Sequence, residues 1–141
     1  MTRTQAPAGV AWIFRMNARF CLLIAALALA AAAALGAFGA HALKGRLSPE
    51  MLATYHIAVE YHFWHALGML GVGALMSRSP DDSALKWVAW LLTAGLLLFS
   101  GSLYVLTLTG AGWLGAVTPL GGVAFIAAWL WLAWWAWGTS K

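Results

Sequence analysis

Four long apolar segments, separated by short polar breaks, dominate the pattern of the chain. The first, Phe20 to Ala40, has no charged side chain, and as a helix it would be about 30 Å long, the thickness of a hydrocarbon core. The third segment, 87–108, is also without charge, and the fourth extends over 114–137. The pattern predicts transmembrane helices at about 20–40, 49–76, 87–108 and 114–137.

Capping and turn signals support these boundaries. Ser48 is a good helix cap, Pro49 suits the first helical position, and Glu50 complements the positive end of the helix dipole. The break at 77–83 contains proline and charged residues, which is typical of a solvated turn. The second predicted helix therefore begins at Pro49 and ends shortly before this turn.

The start of the fourth helix has its own signature. Thr118 is expected to cap the helix and Pro119 to occupy its first position. Gly121 and Gly122 follow at once, and glycines let membrane helices approach each other closely. We expect these two glycines to bring the fourth helix against the third, with a close contact at Gly122.

Composition places the chain in lipid. Of the 141 residues, 63% are hydrophobic and 9% are charged, against roughly 25% charged residues in ordinary soluble domains. Lys and Arg lie at the edges of apolar runs rather than on a polar surface, so the net charge of +4 does not indicate nucleic-acid binding. Cys21 is the single cysteine, which excludes an intrachain disulfide. The predicted fold class is an all-α integral membrane protein, a bundle of four transmembrane helices.

The distribution of basic residues predicts the orientation. Lys44 and Arg46 lie in the first predicted loop, while the N-terminal segment, the second loop and the C-terminus share the other six. These six are Arg3, Arg15, Arg19, Arg78, Lys86 and Lys141. Because cytoplasmic segments are enriched in Lys and Arg, both termini are predicted to be cytoplasmic. The domain organisation is then an N-terminal extension 1–19, at the cytoplasmic side or interface, a membrane domain 20–137 and a cytoplasmic tail 138–141.

The first segment also has a competing interpretation as a secretory signal peptide. Arg15 and Arg19 would form its basic region, and Ala40-His41-Ala42 would resemble a cleavage site. The apolar run is longer than the roughly 7 to 15 residues of a signal core. We therefore interpret it as a transmembrane helix.

The second predicted helix carries an unusual set of polar side chains for a membrane segment. They are His56, Glu60, Tyr61, His62 and His65. At about 100° per residue, His56 and Glu60 share one side of the helix, while the other three cluster on roughly the opposite side. The five groups cannot all face one metal ion, and whether any metal binds is left open. His41, at the end of the first helix, could approach either set.

Three hypotheses for the function differ in the role that they give to the polar residues, Glu60 first among them. An acidic residue at the centre of a membrane helix costs roughly 2.5 to 3.5 kcal/mol, so its carboxyl group needs compensation. The structural hypothesis, which we favour, has Glu60 hydrogen-bonded across the bundle. The second is a proton- or metal-handling transport or binding module that uses Glu60 and the histidines of the second helix.

The third hypothesis is a membrane-embedded enzyme. Ser100 and Tyr104 share one face of the third helix, and His65 would have to activate Ser100 as a nucleophile. No spacing in the sequence demonstrates that contact, and interhelical hydrogen bonding is the ordinary role of Ser and Tyr in membrane helices. We expect a protein without catalysis of its own, and no cofactor is predicted.

Four motifs together resemble a known family. They are LGAFGAH at Leu35 to His41, EYHFWHALG at Glu60 to Gly68, LFSGSLY at Leu98 to Tyr104 and TPLGGVAF at Thr118 to Phe125. The chain is similar to the YgdD-type bacterial inner-membrane proteins, which form domain-of-unknown-function family 423. The resemblance implies a multi-pass protein of the bacterial inner membrane with no established activity. The positions that match the signature are His41, Glu60, Tyr61, His65, Ser100, Tyr104, Thr118 and Pro119.

The sequence as a whole therefore predicts a small polytopic protein with a structural, accessory or stress-related role. Its expected surroundings are the lipid bilayer, with self-association or a larger membrane complex compatible with the pattern. The polar residues of the second and third helices are the candidate functional cluster.

Overall fold

The computed structural model describes residues 16–139, in which helices joined by short turns are the regular secondary structure. Each stretch without a charge forms a helix because in lipid the backbone must satisfy its own hydrogen bonds. The five α-helices are α1 (Ala18–Phe38), α2 (Pro49–Arg78), α3 (Ser83–Gly95), α4 (Ser102–Thr109) and α5 (Thr118–Thr139). Two π-helical segments, π1 (Gly39–Leu43) and π2 (Leu96–Gly101), continue α1 and join α3 to α4, and a 3₁₀ helix (Gly112–Ala116) precedes α5.

Four long helices result, and three of them are long and apolar enough to cross a membrane. These three are Ala18–Leu43, Ser83–Thr109 and Gly112–Gly138. The fourth long helix, α2, has 30 residues and is long enough, but its histidines and Glu60 make it less apolar than the others. The chain thus has the all-helical architecture expected from its apolar pattern.

The helices begin and end somewhat beyond the charge-free runs. α3 begins at Ser83 rather than near Trp87, and it continues through Lys86. α1 begins at Ala18, after a cap in which the Asn17 side chain accepts from the Phe20 N–H at 2.9 Å. Helical hydrogen bonds need backbone groups rather than apolar side chains, so charged residues at the membrane edge do not end a helix. Residues 1–15 of the predicted extension 1–19 and the last two residues of the chain lie outside the described part.

Each long helix packs against its neighbour in the chain. α1 lies along α2, α2 lies along α3, π2 and α4, and α5 lies along α3 and π2. The core between them is made of small and medium side chains, among them Ala25, Ala66, Leu85 and Ala128, all with 0% exposure. Two helices that share a core of alanines can bring their backbones close together.

The start of α2 agrees with the sequence prediction. The Ser48 hydroxyl accepts a hydrogen bond from the Met51 N–H at 3.3 Å, Pro49 is the first helical residue, and Glu50 lies in the first turn. The turn after α4 is closed by Gly110 with φ 75°, a left-handed conformation that glycine adopts without strain. Capping chemistry alone therefore located the start of α2.

The start of α5 differs from the prediction. Thr118 is the first residue of α5 and does not act as a cap, because its hydroxyl donates to the Leu114 carbonyl at 3.2 Å and shares a 2.8 Å hydrogen bond with the Ser102 hydroxyl. A threonine in a helix often hydrogen-bonds to the carbonyl four residues earlier. Thr118 therefore joins α5 to α4 through a hydrogen bond instead of capping α5.

Glycines mark the points where helices come closest. A Cβ at Gly39 would lie 2.7 Å from the Tyr55 ring, and a Cβ at Gly95 would collide with the Phe125 ring. At Gly121 it would collide with the backbone of π2 at Leu98 and Phe99. The expected close contact is therefore at Gly121, and the expectation for Gly122 is wrong, because its Cβ would be at an ordinary 3.7 Å from the Phe99 ring.

A polar link holds the opposite end of the bundle. The Asp82 carboxylate caps α3, accepting from the Ala84 and Leu85 N–H groups at 2.8 and 3.3 Å, and it also accepts from the Trp135 indole N–H at 2.6 Å. Partial burial disfavours the charged carboxylate, but the hydrogen bonds from Trp135 and the two backbone groups outweigh it and lower the pKa of Asp82. The loop before α3 is thereby attached to α5.

The two adjacent glycines of α5 give a matched test of the close contact. Gly121→Ala should destabilise the protein by about 1 to 3 kcal/mol, because backbone atoms cannot move aside for the added methyl group. Gly122→Ala should leave stability unchanged or slightly raised, since alanine favours helix formation. Thermal unfolding of the detergent-solubilised variants measures both, and equal melting temperatures would contradict the assigned contact.

Asp82 gives a prediction for pH. Its pKa is lower in the folded than in the unfolded chain, so the stabilisation is complete at neutral pH and is lost as the pH falls through the carboxyl range. Asp82→Asn should melt at a lower temperature than the parent at neutral pH, and the difference should shrink on acidification.

The matched control is Asp81→Asn, which changes an exposed neighbour without a hydrogen bond to any described residue. It should melt like the parent throughout the pH range. A constant gap between Asp82→Asn and the parent at every pH would show that the charge of Asp82 does not contribute.

Candidate functional site

The polar side chains of α2 point in different directions, as the helical spacing predicted. His56 and Glu60 are exposed, whereas His62 and His65 are partly buried among the helices. Glu60 makes no hydrogen bond or ion pair with any described residue. The hydrogen bond that we expected Glu60 to make across the bundle is therefore not present, because the carboxyl group lies on the outer side of α2.

His62 belongs to a hydrogen-bonded cluster between α1, α2 and α4. Its Nδ1 lies 3.2 Å from the Tyr104 hydroxyl, and the Tyr104 ring lies 5.2 Å from the Tyr55 ring, measured between centroids. The Tyr55 hydroxyl donates to the Leu35 carbonyl of α1 at 2.9 Å. Three helices are thus connected through two tyrosines and one histidine.

Tyr55 is the member of this cluster that the sequence interpretation missed. Its side chain has 0% exposure, and its ring rests on Gly39 at the start of π1. Tyr55 precedes His62 by seven residues, which is about two helical turns, so both lie on the same face of α2. That spacing was the available signal, but a single tyrosine near a helix start is usually interfacial.

His65 lies in an aromatic stack rather than at a nucleophile. Its ring is parallel to the Phe125 ring, with centroids 3.4 Å apart, and its Nδ1 is 2.7 Å from the Tyr61 carbonyl. The Tyr61 ring in turn stacks on Phe99 at 4.5 Å. His65 and Tyr61 therefore join α2 to π2 and α5 through ring faces.

Ser100 is buried in π2 with 1% exposure, and its hydroxyl has no hydrogen-bond partner among the described residues. The described residues therefore contain no hydrogen bond between His65 and Ser100, which is the contact that activation of Ser100 would need. The nearby Ser102 makes the interhelical hydrogen bond instead, to Thr118. The π-helical segment changes which hydroxyl faces which neighbour, and the pattern of apolar and polar residues did not predict it.

The remaining candidates do not converge on a metal. His41 is exposed in π1 and makes no hydrogen bond to a described residue. Within residues 16–139, no three His, Cys, Asp or Glu side chains are grouped closely enough to hold a metal ion. Pro119 is exposed at the start of α5 and acts through its backbone conformation. The sequence-predicted cluster is thus divided into an exposed acidic face, a His–Tyr cluster and an aromatic stack.

Long apolar helices, interhelical hydrogen bonds and glycine contacts define a polytopic helical membrane protein. The chain belongs to the family described as "Protein of unknown function (DUF423)", which matches residues 35–122. This range includes parts of all four long helices, in agreement with the resemblance carried by the four motifs.

Relatives named UPF0382 membrane proteins are found in several bacteria. The UPF0382 membrane protein YwdK of Bacillus subtilis (strain 168) is 44% identical over 109 residues, which cover 77% of this chain and 89% of that protein. The UPF0382 membrane protein SSP2132 of Staphylococcus saprophyticus is 42% identical over 111 residues, covering 79% of this chain and 91% of the relative. No solved structure is significantly similar to the chain.

Proposed function

We propose that this chain is a non-catalytic accessory component of the bacterial inner membrane that binds a partner membrane protein through one face of α2. The observation that carries the proposal is the exposed Glu60. The relatives are membrane proteins by name, which supports the location in a bilayer.

The face in question, the α2 outer face, consists of His56, Glu60, Phe63, Trp64 and Leu67. These positions recur at helical spacing on one side, and the three apolar members are 43%, 59% and 43% exposed. None of the other helices covers this side of α2 in the described chain. It presents two polar groups in the middle of a large apolar surface, the composition expected of a contact between membrane helices.

The depth of Glu60 explains why a partner is needed. As a helix of 30 residues, α2 is about 45 Å long and extends beyond a hydrocarbon core of about 30 Å at both ends. Glu60 comes eleven residues after Pro49 and two before His62, which contacts Tyr104 near the Gly110 end of its helix, so Glu60 lies in the outer part of the core. A carboxyl group at that depth needs a donor, and a partner helix that presents a hydroxyl, amide or basic side chain supplies one.

The proposal includes a topology in which the chain crosses the membrane four times and both termini lie in the cytoplasm. α2 packs along α1 and α3 and is joined to them by short loops, 44–48 and 79–82, so it runs through the same thickness of membrane. The six-to-two distribution of basic residues favours the loop at 44–48 as the external one.

Single cysteines test this topology in a Cys21→Ser variant, in which serine keeps a donor for the Met69 carbonyl that Cys21 contacts at 3.5 Å. Arg46→Cys should react with a membrane-impermeant maleimide in intact cells. Ser79→Cys should react only after the membrane is opened. The reverse pattern would show that the orientation is inverted.

Substitutions of Glu60 test the partner contact. A photoreactive amino acid at position 64 should give a discrete crosslinked product in native membranes, reduced several-fold by Glu60→Leu and retained by Glu60→Gln, which still offers hydrogen bonds. The matched control is the same amino acid at Trp134, another exposed tryptophan, which should not give that product.

The melting temperature of the solubilised protein should be the same for the parent and both Glu60 variants, because Glu60 is exposed and makes no hydrogen bond or ion pair with a described residue. Equal products from positions 64 and 134 would contradict the proposed face. An infrared carboxyl band that titrates near neutral pH and responds to a proton gradient would instead support the proton-handling alternative.

A further inference from the structure

A groove of about 390 Å³ lies between α1 and the continuous helix formed by α3, π2 and α4. α1 packs on α2. The α1 residues between Ile24 and Leu35 that line the groove face the third long helix across this space. The walls are apolar apart from Thr93, whose hydroxyl donates to the Ala89 carbonyl at 2.8 Å, and one polar pair. The volume falls in the range of about 300 to 1,000 Å³ typical of ligand sites.

The polar pair is His62 and Tyr104, which both line the groove and are 3.2 Å apart. A neutral imidazole and a phenol carry two donor hydrogens, and the hydrogen bond between them uses one. If the phenol donates to Nδ1, the Nε2–H is left; if Nδ1–H donates, the phenolic O–H is left. In either tautomer one donor remains without a partner in the described chain, and a donor in hydrocarbon needs an acceptor.

The position of this pair matches one part of a phospholipid. Tyr104 comes five residues before Thr109, about 7.5 Å from the end of a 27-residue helix that is about 40 Å long. With equal overhang, Tyr104 lies about 2 to 3 Å inside a 30 Å hydrocarbon core, at the level where acyl ester carbonyls meet the chains. From there the groove continues for about 17 Å to Ile24, roughly one leaflet.

We propose that the groove binds one acyl chain of a phospholipid from the leaflet on the side of Gly110, with the ester carbonyl accepting the free hydrogen of the His62–Tyr104 pair. The occupant is a glycerophospholipid with ester linkages because the groove combines a linear apolar channel with one donor at its interfacial end. A second copy of the chain or a peptide segment would offer no carbonyl acceptor free of its own helix at this depth.

The first test compares ester and ether lipids. The protein is purified into nanodiscs of equal parts dipalmitoyl phosphatidylglycerol and its dihexadecyl ether analogue, and retained lipid is measured by native mass spectrometry. The parent should retain one lipid with about a fivefold preference for the ester, the effect of one hydrogen bond. In a double variant, His62→Leu with Tyr104→Phe, both possible donors are absent. The preference should then fall to near unity while the helical content is unchanged.

The second test fills the groove. Ala31 lines it and Ala30 does not, although both are exposed on α1. Ala31→Phe should lower the retained lipid at least fivefold, whereas Ala30→Phe should retain it like the parent.

Three outcomes would overturn the proposal. The first is equal retention of ester and ether by the parent, and the second is unchanged retention in Ala31→Phe. The third is a parent that carries no lipid. If this lipid-free parent is a dimer, the groove is occupied by a second copy of the chain. If it binds lipid only after residues 1–15 are deleted, the groove is occupied by the N-terminal segment of this chain. Because Glu60 lies on the outer face of α2, failure here leaves the proposed partner contact untouched, and Glu60→Leu serves as a further control that should retain the lipid.

Discussion

The exclusion of water from the hydrocarbon core is the constraint on which the rest of this structure depends. A polar group there is stabilised by a partner within the protein, and several side chains meet this need by joining two helices. The Tyr55 hydroxyl binds the Leu35 carbonyl and ties α2 to α1, and the His62–Tyr104 contact ties α2 to α4. The polar residues that stand out in the sequence thus serve mainly as connections within the bundle.

Close packing also stabilises the association of the helices. Lipid tails are as apolar as the helix surfaces, so the hydrophobic effect does not drive the helices together. The contacts at Gly39, Gly95 and Gly121 place a ring or a backbone segment where any other residue would put a side chain. Both π-helical segments take part in these contacts: π1 begins at Gly39, and π2 receives Gly121 on its backbone. An extra residue in the turn alters which side chains face the neighbour. Here Ser100 is buried without a hydrogen-bond partner among residues 16–139, while Ser102 contacts Thr118.

The same constraint points to function through the groups that the bundle leaves unsatisfied. Glu60 is exposed on α2 at hydrocarbon depth, and the His62–Tyr104 pair keeps one donor toward the groove beside α1. The first is best explained by a partner protein and the second by a lipid, because a carboxyl group needs a donor and a free donor needs an acceptor. The accessory role that we propose rests on these two surfaces, one for a membrane protein and the other for lipid.

The sequence by itself determined the helical class, the apolar lengths, the family and the capping of α2 by Ser48, since these depend on local composition and backbone chemistry. It also predicted that His56 and Glu60 lie apart from His62 and His65, because helical periodicity fixes relative angles. Only the tertiary structure decided that Tyr55 is buried, that Gly121 rather than Gly122 makes the close contact, and that Thr118 binds Ser102 instead of capping. Those outcomes depend on how helices rotate and approach each other, and the π-helical segments that set the rotation leave no mark in a pattern of apolar and polar residues.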